Sequence, residues 1–419
     1  MKIAIVGAGF TGLAAGLKVL KEGHDVTIFE KDSLPGGLAM GFRNAKWQWS
    51  LEKDYHHWFT NDEKILSLAS EINYPVIIKR PETSVFVNSK FYKLDSPIDV
   101  LKFPLLNFFE RLRMGFALAL LKYNPFWKTL EKYKVSEMLP KMMGEKSYKL
   151  LWEPLIIKKF GPYANDISLA WFWARITKRT PSLAYPEGGF LEFANALVSE
   201  IKKKHGKIQF SYEVKNISTQ NNQIKVDDQI FDKVIVTLPS FTFAKIAPQL
   251  PNDYKEKLLQ LRGISAVNLV VRLKKPFFRD HTYWLNICDI KFPVTAVVEH
   301  TNFMDKKFYN NEHILYLGNY VPQNHPFMKM NREDLLKKYD VLLSRINEDY
   351  KSQIIETHLF LDYFAQPIIP INYSKIVPPF ETPLKNVYLA NMQQVYPWDR
   401  GTNYAVEMGE KAADLILNR

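Results

Sequence analysis

The chain has 419 residues, of which 47% are hydrophobic, 14% aromatic and 24% charged. That length and apolar content exclude a single small module and a disordered chain, and predict roughly two to three domains' worth of packed core. Lys and Arg outnumber Asp and Glu by 56 to 44, and the resulting net charge of +12 favours anionic partners such as a phosphorylated substrate or an acidic membrane surface.

Cys288 is the sole cysteine, so neither an intrachain disulfide nor a Cys-based zinc site can be built, and no metal is expected. This fits a reducing, cytoplasmic setting. An apolar strand begins directly after Met1 and Lys2, which leaves no room for a signal peptide, and no uncharged run approaches a membrane span. Nucleic acid is not an expected partner.

In chain order, Lys2 to Val6 reads as a strand, Gly7 to Gly12 as a Gly-rich turn, Leu13 to Glu22 as a helix and Asp25 to Phe29 as a strand. Gly7, Gly9 and Gly12 form GxGxxG around Ala8, Phe10 and Thr11, placed after a strand and opening a helix. Gly7 allows the tight turn, Gly9 lets backbone approach a pyrophosphate, and Gly12 permits close packing of helix on strand. The helix N-terminus adds N–H donors and the positive end of a dipole. Glu30 follows Gly12 by 18 residues, where a carboxylate accepts hydrogen bonds from adenosine ribose and disfavours a ribose phosphate. Next come Lys31 and, a little further on, Pro35-Gly36-Gly37-Leu38, which alone read as a turn.

Ile98 to Met143 is helical in pattern, with breaks expected at Pro104, Pro125 and Pro140. Gly189 to Lys204 predicts a helix, Lys207 to Ile217 a strand, Thr219 to Asn222 a polar turn, and Gln223 to Val226 and Lys233 to Leu238 two more strands. Ala266 to Leu273, His281 to Ile287, Val294 to Glu299 and His313 to Tyr320 follow as sheet strands. The chain closes with a strand over Val387 to Ala390, a loop, and a helix from about Asn403 to Leu417.

From Glu30 to Leu38 the sequence resembles the FAD-dependent amine oxidoreductase superfamily: protoporphyrinogen oxidases, phytoene desaturases, monoamine oxidases and, more distantly, UDP-galactopyranose mutases. The resemblance implies that Gly36 and Gly37 wrap the FAD diphosphate, although Leu38 and Ala39 stand where members often carry Arg. Asn386 to Asn391 resembles the superfamily's last strand, and Gly401, Thr402, Asn403 and Ala405 its loop and helix against the flavin ring. Asn391 occupies a position that usually holds a ribityl-binding acid. Tyr185 to Phe190 and Val214 resemble the segment that returns to the cofactor and lays Val beside adenine. The implied fold is α/β: a discontinuous Rossmann-like FAD-binding domain over 1–85, 186–265 and 366–419, and a substrate domain of mixed sheet and helices over 86–185 and 266–365, with a helical subregion at 98–143.

Asp54 to Asn61 holds His56 and His57 side by side, and in an extended stretch only one of them can face a common site. Alignment on Thr60-Asn61 with galactopyranose mutases nominates His56; a satisfied structural pair is the alternative. Lys158, Lys159, Arg175 and Arg179 could clamp a carboxylate or diphosphate, or could be solvated helix faces. Asp399 and Arg400 directly precede Gly401, either at the flavin edge or in an exposed loop ion pair. Leu101 to Lys128 carries five basic residues and one acid among Leu, Phe and Trp, which reads as substrate-domain core with a basic outer face or as a peripheral membrane contact. The functional expectation is a FAD-dependent oxidoreductase moving a hydride from a substrate C–H or N–H, of hydrophobic, amine or polyene-like kind, to flavin N5, with an anionic or hydrophobic small molecule as partner; the alternative is a flavin-dependent, non-redox sugar-nucleotide mutase of the UDP-galactopyranose mutase type.

Overall fold

In the computed structural model, which describes residues 1–220 and 223–418, the opening strand Lys2–Val6 lies at the centre of a five-stranded parallel sheet. The strand order is Lys207–Gln209, Asp25–Phe29, Lys2–Val6, Lys233–Val236 and Val387–Leu389, so three distant segments of chain share one sheet. Alternation explains what covers each face. Ile3 and Ile5 pack on one side, against the helices Phe10–Lys21, Phe190–Lys203 and Thr402–Leu417. Ala4 and Val6 point the other way, into a cluster with Val214, Ile217, Phe231 and Phe243.

A second, seven-stranded sheet runs in the order Ile354–Pro367, Gly263–Leu273, His313–Val321, Ala296–Glu299, Thr282–Ile287, Glu82–Val87 and Lys90–Lys93. Val267, Leu269 and Val271 face the helix Arg332–Ile346. The residues between them look the other way, and Ala266 and Asn268 border a cavity roofed by the helices Glu153–Phe160 and Leu169–Lys178.

Several local expectations need correction. The helix expected from Leu13 starts at Phe10, inside the glycine motif, because Gly9 already serves as its N-cap. Helices Pro97–Lys102, Phe108–Tyr123 and Trp127–Leu130 break as the prolines require, but Val135–Met143 runs through Pro140. The strand expected over Lys207 to Ile217 ends at Gln209, so Val214 sits in irregular backbone rather than on a strand. Residues 219 and 220 belong to the strand Ile217–Gln220, and the last two residues of the expected 219–222 turn lie outside the described residues. The strand Ile354–Pro367 and the helix Arg332–Ile346 were not anticipated.

Candidate active site

The larger of two adjoining cavities, about 870 Å³, opens beyond the carboxyl ends of Lys2–Val6 and Asp25–Phe29, where parallel α/β sheets bind ligands. Gly7, Gly9, Phe10, Thr11, Glu30, Lys31, Gly36, Gly37, Leu38, Val214, Asn391, Gly401, Thr402 and Ala405 all border it. Gly12 and Asn403 do not. A Cβ on Gly12 would stand 1.9 Å from the Gly7 oxygen, so Gly12 serves the packing of the turn. The Asn403 Oδ1 accepts from the backbone N–H groups of Lys64 and Ile65, at 2.9 and 3.1 Å, and is spent on the start of a neighbouring helix.

The lining suits a dinucleotide. The helix Phe10–Lys21 has no side-chain cap and no acid in its first turn, so its N-terminal N–H groups face the cavity unpartnered by side chains. The helix Thr402–Leu417 begins at Gly401 in the same way, towards the cavity's other end. Gly36 and Gly37 have φ of +120° and +58°, which brings their backbone against Gly9, and a Cβ on Gly37 would sit 3.2 Å from the Gly9 Cα. Glu30 already accepts the Ala8 and Asp32 N–H groups at 2.7 and 2.9 Å, and its remaining lone pairs are what a ribose hydroxyl can use. Burial raises its pKa, against the pull of those two donors. Asn391 is more committed than expected: its Nδ2 donates to the Leu238 oxygen and Ser240 Oγ, and its Oδ1 accepts from the Gln393 N–H.

The smaller cavity, about 340 Å³, meets the larger one at Leu38, His56, Arg400, Gly401 and Thr402, which border both. His56 and His57 both line it, contrary to the expectation that only one could face a common site. Regular strand begins at Trp58, so the two-residue alternation does not apply to them. The His56 Nδ1 lies 2.6 Å from the Asp54 oxygen, and a carbonyl can only accept, so Nδ1 carries the hydrogen and Nε2 is left with a lone pair. Burial, with Arg400 adding to it, lowers the His56 pKa to about 4, while burial and Arg179 lower His57 to about 3. Both rings are neutral at pH 7.

Arg175 meets the adjacent pair Asp399 and Arg400, more than 200 positions away in sequence, in this cavity. Asp399 accepts from Arg175 at 2.6 Å, and from Trp171 and Gln366 at 3.1 Å each. Burial works against the charge of Asp399, yet Lys159, Arg175 and Arg400 outweigh it and hold the carboxyl well below its ordinary range. Arg400 donates to Tyr320 Oη at 2.6 Å. Of the two adjacent lysines, Lys159 borders the cavity, whereas Lys158 donates to the carbonyls of Ile287, Asp289 and Val294 and ties helix to sheet. Sequence reasoning missed the facing carboxyls of Asp54 and Asp362, with Asp54 raised far above its usual pKa by burial and then by Asp362. Asp54 lay inside the flagged histidine cluster; Asp362 is on the unanticipated strand.

A parallel sheet with a glycine-lined cavity at its carboxyl edge, joined to a second, aromatic-walled cavity, is the architecture of a dinucleotide-binding protein. The family model of flavin-containing amine oxidoreductases matches residues 10–417, so the chain belongs to that family, and its cofactor is FAD. Solved structures of the same fold include a UDP-galactopyranose mutase (15% identity, TM-score 0.78, covering 100% of this chain and 95% of that one) and an oxidoreductase from Methanosarcina mazei (18%, 0.74, 100% of both). Another is cyclohexylamine oxidase from Brevibacterium oxydans (14% identity, TM-score 0.74, 100% and 99%). A 4,4'-diapophytoene desaturase from Staphylococcus aureus is 60% identical over 37 residues, a stretch spanning 9% of this chain and 7% of the desaturase.

Proposed function

We propose that the protein is a FAD-dependent oxidoreductase that takes a hydride from a small molecule held in the smaller cavity. The observation that carries this reading is the shared border at Leu38, His56, Arg400, Gly401 and Thr402, which puts the smaller cavity against the end of the larger one where the uncapped helix Thr402–Leu417 begins. The segments 1–85, 186–265 and 366–419 are assigned to holding FAD and the rest to the substrate. Bound there, FAD supplies a two-electron acceptor, and the partial positive charge of that helix N-terminus favours the extra negative charge of the reduced form.

The protein's own groups bind and position. Trp171, Phe172 and Trp284 give the pocket apolar walls that exclude water. His56 presents the Nε2 lone pair at the junction. A base with a pKa of about 4 removes protons poorly, so His56 accepts a hydrogen bond from the substrate rather than ionising it. The test is anaerobic: purified protein should show a flavin spectrum that bleaches with a hydrophobic, polyene-like hydride donor. A colourless protein that cannot be loaded with FAD overturns the assignment.

A second feature bears on how an apolar substrate arrives. On the helix Phe108–Tyr123, the side chains of Phe108, Phe109, Leu112, Phe116, Leu120 and Tyr123 fall within an arc of about 120° at 100° per residue. They are exposed, Phe109 by 78% and Tyr123 by 79%, while Met114, Ala117 and Leu121 on the opposite arc are buried. The helix is thus apolar on two faces, one of them covered by none of the described residues. The bordering charges are mostly Lys and Arg, which matches an anionic lipid surface. Lys122 Nζ donates to the Arg179 oxygen at 2.9 Å, tying this helix to the pocket wall. Co-sedimentation with phosphatidylglycerol vesicles, lost in Phe109→Glu/Phe116→Glu and absent with phosphatidylcholine alone, is the expected result; no sedimentation with either vesicle overturns it. Among the described residues no helix is long and apolar enough to cross a membrane.

A further inference from the structure

The smaller cavity carries a charge imbalance that the hydride-transfer reading leaves unexplained. Five basic side chains border it: Lys159, Arg175, Lys178, Arg179 and Arg400. Three aspartates also border it, and they do not balance the charge. Asp399 is ionised and engaged by Arg175. Asp62 has its pKa raised to about 6 by burial and accepts the Phe59 N–H at 2.8 Å. Asp54 has its pKa raised by burial and then by the facing carboxyl of Asp362, which weakens it as a counter-charge.

The basic groups show the strain of this arrangement. Among the described residues Lys159 Nζ has no hydrogen bond or ion pair, and it rests over the Tyr320 ring, 4.3 Å from the centroid. Burial and then Arg175 push the Lys159 ammonium towards losing its proton. Arg400 Nε is buried without a hydrogen-bond partner among the described residues. Burial and Arg175 likewise lower Arg179, to about 10. Uncompensated positive charge on buried side chains in an aromatic-walled cavity is costly, and a bound anion removes that cost while satisfying the free donors.

We propose that the substrate is an amphiphile whose anionic head group, a carboxylate or a phosphate, is held by Lys159, Arg175 and Arg400, with its apolar body along Trp171, Phe172 and Trp284. The proposal rests on the assignment of the smaller cavity as the substrate site. The imbalance also gives selectivity, because an amine cation entering the same space meets like charge.

The test is equilibrium binding to the FAD-loaded protein, followed by perturbation of the flavin absorbance and by thermal shift, and it needs no turnover. Octyl phosphate, octanoate, octanol and octylamine are titrated at constant ionic strength. At least one of the two anions should bind about tenfold or more tighter than octanol, octylamine should bind weakest, and Lys159→Gln and Arg175→Gln should each remove most of the anion preference while FAD content is unchanged. Comparison of the two anions tells phosphate from carboxylate. Octanol binding as tightly as both anions to the wild-type protein overturns the proposal, whether or not the variants fold. That result leaves the oxidoreductase reading standing, whereas failure to load FAD would remove that reading instead.

Discussion

The two adjoining cavities are built by opposite means. The larger is shaped by backbone: uncapped helix N-termini, a pair of glycines at positive φ, and turns so tight that side chains are excluded. The smaller is shaped by side chains, with basic groups and indole rings delivered from two helices, a sheet face and the loop before Gly401. Backbone sites recognise what is common to all members that use one cofactor, while side-chain sites can be altered one residue at a time to suit a substrate. Substitutions should therefore act as near all-or-none events in the first cavity and as graded changes in the second.

The largest effect is expected at Gly9. A Cβ there would lie 3.7 Å from its nearest neighbour, an ordinary contact, and Gly9 has φ of −70°, so Gly9→Asp should fold. Its carboxylate would nevertheless repel a diphosphate, and purified Gly9→Asp should lack flavin absorbance; a variant with one FAD per chain would break the comparison. Gly12→Ala places a methyl 1.9 Å from the Gly7 oxygen and should lower stability on the order of 3 kcal/mol, read as a fall in the midpoint of denaturant unfolding.

His56→Ala comes next, since it removes a side chain but leaves the glycine cradle intact. Flavin content should stay at the wild-type level while the rate of anaerobic flavin reduction falls by about tenfold to a hundredfold. Because burial and Arg400 keep His56 neutral down to about pH 4, the wild-type rate should show no inflection from this ring between pH 6 and 8. An unchanged rate in the variant would return His56 to a purely structural role.

The smallest effect sharpens the comparison from outside both cavities. Glu52 is fully buried, accepts from Tyr185 Oη at 2.8 Å and from the Phe190 N–H at 2.8 Å, and burial raises its pKa to about 7. The folded state keeps this proton while the unfolded chain releases it from about pH 4.5, so the group's contribution to stability falls as pH rises from about 4.5 to 7. Glu52→Gln should lack that part of the pH dependence, measured as the difference between wild-type and variant melting temperatures across the window. Parallel curves would show that Glu52 is ionised throughout.

What could be read from the chain alone was local. The strand Lys2–Val6, the glycine turn and the strand Asp25–Phe29 are consecutive, and their hydrophobic period, turn chemistry and acid spacing all refer to neighbours within about thirty positions. The family likeness extended this to the closing helix, because it too begins at a glycine. Tertiary structure decided whatever depends on side-chain direction across long separations. It showed that Lys159 faces a cavity while Lys158 bonds three carbonyls, a difference of one helical step that no local pattern separates. It also brought Asp54 against Asp362 and Asp399 against Arg175, and left the aromatic face of Phe108–Tyr123 uncovered. Charges and rings act through space, at ångström distances set by packing, so their partners are named only when the sheets and helices have been assembled.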